Sequence, residues 1–223
     1  MAGKLDAPDA RQAIEALCRM YWPPIHAFLR RCGHPSPDAK DLTQGFFAYL
    51  LEESLLQKAN PERGRFRSFL LGSLKNFVSN QQARERALKR GGGIDLISID
   101  AESADGRDLN ELSTHLSPER LFDRKWALAV IGEAMERLAS EYRRAGMAEQ
   151  FAVLQPYLTG DADDHLSDLA VRLGKTAGAT RILVFRLRNR FRRLIRAVIA
   201  DTVAELDQVE NELQELQAAL REG

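Results

Sequence analysis

The chain has 223 residues, 44% of them hydrophobic and 29% charged, with 32 basic and 32 acidic side chains and a formal net charge of zero. That composition excludes an intrinsically disordered or fibrous polypeptide, and the length suits two small domains joined by a linker. No apolar run approaches the roughly 20 residues of a membrane span, and the opening stretch "MAGKLDAPDARQ" lacks the apolar core of a signal peptide, so a cytoplasmic protein with no membrane partner is expected.

In chain order, everything reads as helix. Asp9 and Gln12 fit a capping box ahead of an Ile14, Leu17, Cys18, Tyr21 stripe, which predicts a first helix ending at Trp22-Pro23-Pro24. A short second helix then runs over residues 25–31 and stops at Gly33. Ser36 as N-cap with Pro37 behind it opens the helix "SPDAKDLTQGFFAYLL". After the Asn60-Pro61 turn, Phe66, Phe69, Leu70, Leu74, Phe77 and Val78 form another helical stripe, and core packing is the plain reading of its phenylalanines. That helix runs on through "QQARERALKR" to three glycines, Gly91, Gly92 and Gly93. The acidic, Gly- and Ser-containing residues 91–116 read as a linker. Ser117-Pro118 starts a long helix that breaks near Gly146, a shorter helix around Phe151 and Leu154 ends at Pro156, and residues 203–220 form an acidic amphipathic helix.

The neutral total hides a segregation of charge. Residues 63–90 carry eight Lys or Arg and one acid, and residues 91–123 carry eight acids and two arginines. Residues 172–196 then carry nine basic side chains and no acid, and residues 201–223 carry seven acids and one arginine. Two separate basic blocks suggest two contact zones for a polyanion. In the first block Lys75, Asn76, Asn80, Gln81, Arg84 and Arg86 offer donors suited to base edges. In the second, Leu169, Ala170, Leu173 and Gly174 have the spacing of a helix-turn-helix, whose second helix begins after Lys175 and Thr176. Ala170 lets the helices approach, Gly174 suits the turn, and the segment from Lys175 to Arg181 can face a major groove.

Enzymatic signals are poor. Histidines 26, 34, 115 and 165 stand apart from any nucleophile context, and no phosphate-binding glycine loop occurs. "DADDHLSD" has Leu166 where a calcium loop needs glycine, and Cys18, Cys32 and His34 lack zinc spacing. A binding protein without metal or cofactor is expected, and the two cysteines read as buried free thiols.

Together these pieces resemble the bacterial RNA polymerase sigma factors of the extracytoplasmic-function group. A D-L-x-Q-x-x-F helix is matched by Asp41, Leu42, Gln44 and Phe47, and P-E-R-G-x-F-R-x-[WF]-L by residues 61–70. Lys75 and Asn76 with "ARERALKR" match the basic helix that follows, and L-A-x-x-L-G-x-[ST]-x-G is matched by residues 169–178. The resemblance implies an all-α fold of two small helical domains, at residues 1–90 and 117–200, with an acidic linker at 91–116 and an acidic helical extension at 201–223. It implies a first domain that docks on core RNA polymerase through Asp38, Asp41, Leu42, Gln44, Phe46 and Phe47. That domain would open the minus-ten element with Arg67, Lys75, Asn76, Asn80, Arg84 and Arg86. The second domain would read the minus-thirty-five element of promoter DNA with Lys175, Thr176, Ala177, Thr180, Arg181 and Arg186.

Departures from the family pattern are informative. Lys40 and Gly45 stand where acids are common, so the docking face lacks two carboxylates, and Thr43 between them suggests restoration by phosphorylation. This admits a regulatory kinase or an anti-sigma factor as further partners. Thr180 stands where an apolar residue is usual, and Ala177 and Ala179 replace polar ones. A stand-alone helix-turn-helix regulator, dimeric through its acidic C-terminal helix, is the competing expectation, and an adaptor using its basic helices on an acidic partner is the third.

Overall fold

The structure is a computed structural model that describes residues 8–52, 55, 65–90, 115–158, 166–203 and 208–221, without the side chains of 8–13, 85 and 88–90. Among the described residues every regular element is helical: α1 (Pro8–Arg31), α2 (Ser36–Glu52), α3 (Phe66–Arg90), α4 (Pro118–Arg144), α5 (Ala148–Leu154), a one-turn 3-10 helix (Gln155–Leu158), α6 (Leu166–Leu173), α7 (Ala177–Ala200) and α8 (Gln208–Arg221). The fold is all-α, and no described helix is long and apolar enough to cross a membrane. The expected linker lies almost wholly outside the described residues. So do residues 61–64 of the 61–70 motif and the start of "DADDHLSD". The capping box at Asp9 and Gln12 falls on side chains outside the description.

Two compact units emerge, Met1–Ala129 with Thr202–Gly223, and Val130–Asp201. Helix α4 contributes residues 118–129 to the first and 130–144 to the second, and α8 belongs to the first.

The first unit corrects one expected boundary. Pro23 and Pro24 lie inside a single helix, α1, rather than ending it. Each proline lacks an N–H, so the carbonyls of Arg19 and Met20 lose their intrahelical donors. Burial on both sides of the prolines holds the helix together regardless: Tyr21, Ile25, Phe28 and Leu29 are buried, and Trp22 stacks on Phe47 with ring centroids 5.9 Å apart. At its end Gly33 takes a positive φ of 95°. Its N–H donates to the Arg30 carbonyl, and that of His34 to the Leu29 carbonyl, a glycine cap of the paired 5→2 and 6→1 type. Helix α2 starts one residue early, because the Ala39 N–H donates to the Pro35 carbonyl. Phe46 and Leu50 of α2, Leu70 and Leu74 of α3, and Phe122 and Trp126 of α4 complete the core. Cys18 is half-buried and Cys32 exposed, so neither is the buried thiol expected.

In the second unit Val130, Ala134 and Leu138 of α4 recur every four residues and are buried, as are Phe151, Leu154, Leu169, Val184, Leu187 and Leu194. Pro156 sits in the 3-10 turn that ends α5. Ser117 caps α4, its hydroxyl accepting from the Arg120 N–H at 3.3 Å.

Candidate nucleic-acid and polymerase interfaces

Helix α2 separates the expected docking residues into two faces. Asp38, Asp41 and Gln44 are exposed and spaced by three, so they follow one ridge, which Ala48 and Leu51 extend. Leu42 is half-buried at its side. Phe46 and Phe47 are buried, so they are core residues and not partner contacts. Thr43 is fully buried, and its hydroxyl donates to the Ala39 carbonyl at 2.6 Å. The modifiable residue expected on the contact face therefore points into the core, and an enzyme reaches its hydroxyl only if the helix opens. Gly45 is half-buried, and a Cβ there would lie 3.4 Å from Phe77 Cζ.

Arg67 is also a correction. Expected on DNA, it is 5% exposed in the first unit. Its guanidinium pairs with Asp123 of α4 at 2.5 Å and with Glu212 of α8 at 3.3 Å, and lies 4.1 Å from the centroid of the Trp126 ring. Arg65 adds a 2.8 Å pair to Glu215 and sits 3.6 Å from Glu212. Glu212 is itself buried. Burial is the largest influence on Glu212 and Asp123 and raises both carboxyls above their ordinary range, against the attraction of Arg67. The same surroundings push the Tyr21 hydroxyl far up, burial first. The acidic C-terminal helix thus neutralises cations from the first basic block. Lys75, expected on DNA, is half-exposed and donates to Glu119 at 2.8 Å. That bond is the chief cause holding the Glu119 carboxyl low. Asn76, Asn80 and Arg84 are exposed and spaced by four along α3, with exposed Arg86 nearby and Gln81 half-buried. Beyond Val78 this helix is polar on nearly every described side.

The helix-turn-helix is formed as the spacing predicts. Gly174 has φ 61°, its N–H donates to Val171 and that of Lys175 to Ala170, which closes α6 with the same glycine cap as α1. Leu169 and Ala170 are buried. Thr176 then caps α7, its hydroxyl accepting from the Ala179 N–H at 3.3 Å. Lys175, Thr176, Ala177, Arg181 and Arg186 are exposed. Thr180 is a correction: it is fully buried, and its hydroxyl donates to the Thr176 carbonyl at 3.0 Å. The arginines of α7 divide. Arg188 donates to the Tyr157 carbonyl at 2.8 Å, and Arg190 grips Glu141 through two donors, which is the main cause lowering that carboxyl. Arg181 and Arg186 point outward.

Sequence reasoning missed Glu212, Glu215, Asp123 and Trp126 as partners of the basic block. It also missed the exposure of Leu51, Ile182 and Phe185. Among the described residues no cluster of His, Cys, Asp or Glu could hold a metal ion. Comparison of the chain with protein-family models, with curated proteins and with solved structures finds no match.

Proposed function

We propose that this chain is a promoter-specificity subunit of the sigma type, which binds core RNA polymerase through α2 and promoter DNA through α3 and the helix-turn-helix. The observation that carries the reading is the exposed ridge of Asp38, Asp41 and Gln44. It belongs to the first unit and not to the helix-turn-helix of the second, so a regulator that binds DNA through that motif alone does not require it. The order of the sequence motifs supports the same conclusion. So do the exposed Asn76, Asn80 and Arg84 on α3 and the acid-free α7. The role is one of binding and opening DNA, with no bond made or broken by the chain.

A stand-alone dimeric regulator would need a dimer seam, for which α8 was the candidate. Val209, Glu212 and Leu216 of α8 are buried within the first unit, so that face is already occupied. The test is co-elution of the full chain with core RNA polymerase. Asp38→Lys with Asp41→Lys is expected to abolish co-elution while leaving the helical signal intact. Retention of core binding by that variant refutes the assignment of α2.

A further inference from the structure

On α7, the side opposite buried Thr180, Val184 and Leu187 carries Gly178, Ile182, Phe185 and Asn189, which share one stripe at helical spacing. Ile182 is 53% exposed and Phe185 64% exposed. Exposed Arg181 flanks the stripe on one side and exposed Arg186 on the other. Ahead of it, Ala177, Gly178 and Ala179 are exposed and carry nothing larger than a methyl group, so the first turn can come close to whatever the helix meets. Large apolar side chains placed on the solvent face of a helix break the pattern that a fold alone would impose, and such breaks mark function.

The surroundings select the occupant. Exposed Arg172 and Lys175 lie just before the helix, exposed Arg181 and Arg186 flank the stripe, and residues 172–196 contain no acid, a setting that suits a polyanion. The stripe is two large residues wide, narrower than the apolar centre of a protein interface, and it lies on the helix that a helix-turn-helix inserts into a major groove. In that groove thymine alone presents an apolar group, its 5-methyl. Apart from Arg181 and Arg186, the first three turns of the helix expose no long polar side chain that could donate to base edges.

We infer that Ile182 and Phe185 read promoter DNA by seating thymine 5-methyl groups between Arg181 and Arg186, which hold the flanking backbone or a guanine edge. This rests on the sigma-type reading and names the chemistry its second unit selects.

The test is selection of bound duplexes from a random pool by the full chain, alone and with core RNA polymerase. The selected duplex is then compared with the same duplex carrying deoxyuridine in place of thymidine. Base pairing is kept and only the methyl groups go. The expected result is a thymine-containing site whose affinity falls about fourfold for each contacted methyl removed. The double variant Ile182→Ser with Phe185→Ser should bind both duplexes with the affinity that the native chain shows for the deoxyuridine form, and each single variant should lose part of the preference. Phe185→Leu should restore part of the preference. Both positions are exposed, so helical content by circular dichroism should be unchanged. Sequence-specific binding with equal affinity for the two duplexes overturns the inference and leaves the sigma-type reading standing. Loss of core co-elution in Ile182→Ser, with the thymine preference intact, assigns the stripe to protein and overturns it as well. No selected site under either condition overturns both.

Discussion

Replacing Arg67 by alanine should strongly destabilise the first unit. The guanidinium is 5% exposed, faces Asp123 and Glu212, and covers the Trp126 ring. Its loss leaves Glu212, 4% exposed, as a buried carboxylate whose remaining cation is Arg65 at 3.6 Å. Removing one partner of a buried ion pair costs about 3–5 kcal/mol, a large share of the roughly 5–15 kcal/mol that holds a domain folded. With a urea slope of about 2 kcal/mol/M, the midpoint should fall by about 1.5–2.5 M. Both tryptophans of the chain, Trp22 and Trp126, lie in the first unit, so their fluorescence in a urea titration at pH 7 reports that unit alone.

Glu212→Gln should behave differently. It removes a charge that burial already disfavours while Arg67 keeps Asp123, so the change should stay within about 1 kcal/mol. The pH dependence follows the same sign. Glu212 and Asp123 hold their protons to higher pH in the folded chain than in the unfolded one. Their contribution is therefore greatest below the ordinary carboxylate values and is lost as pH rises through the raised folded ones. The Arg67→Ala deficit should accordingly shrink as pH falls from 7 and Glu212 takes up a proton. An Arg67→Ala cost below about 1 kcal/mol at pH 7 would refute the reasoning, since it would place the network in water rather than in the core.

Three further outcomes are expected. Gly45→Ala should raise thermal stability by up to about 1 kcal/mol, since the helix gains propensity and the new Cβ meets Phe77 at ordinary contact distance; calorimetry reads the shift. Thr43→Glu should lower the urea midpoint by the equivalent of about 3 kcal/mol or more, because it forces a carboxylate into a fully buried position, whereas Thr43→Val should cost about 1 kcal/mol or less. Gly174→Ala should destabilise the second unit by about 1–2 kcal/mol through its left-handed backbone, visible as faster amide exchange in α6 and the start of α7.

Helical register made most of the fold legible, and the corrected residues share one physical cause. Ala39, Thr43, Phe46, Phe47 and Leu50 are the buried positions of α2; Arg67, Leu70, Leu74 and Phe77 are those of α3; Thr180, Val184 and Leu187 repeat the pattern in α7. Each polar residue assigned to a partner and found inside occupies a core register position. Its polarity drew attention, and its spacing gave the better answer. Glu212 sits in the Val209, Leu216 stripe of α8 in the same way, so a buried carboxylate seeking a buried cation could have been read from the two stripes together. That the partner would be Arg67, some 145 residues earlier in the chain, needed the fold. The continuity of α1 through Pro23 and Pro24 was not legible, because tertiary burial overrides a local propensity that points the other way. The helix-turn-helix was legible because glycine at the turn and a small residue at the helix contact are local requirements.

The central claim is that α2 brings the chain to core RNA polymerase so that its second unit can choose a promoter. Transcription with purified core polymerase, the chain and a library of genomic fragments tests this most directly. The account predicts transcripts that start at a small set of sites, require the chain, and vanish with Asp38→Lys and Asp41→Lys together. Transcripts that ignore the presence of the chain, or that survive that double substitution unchanged, contradict it.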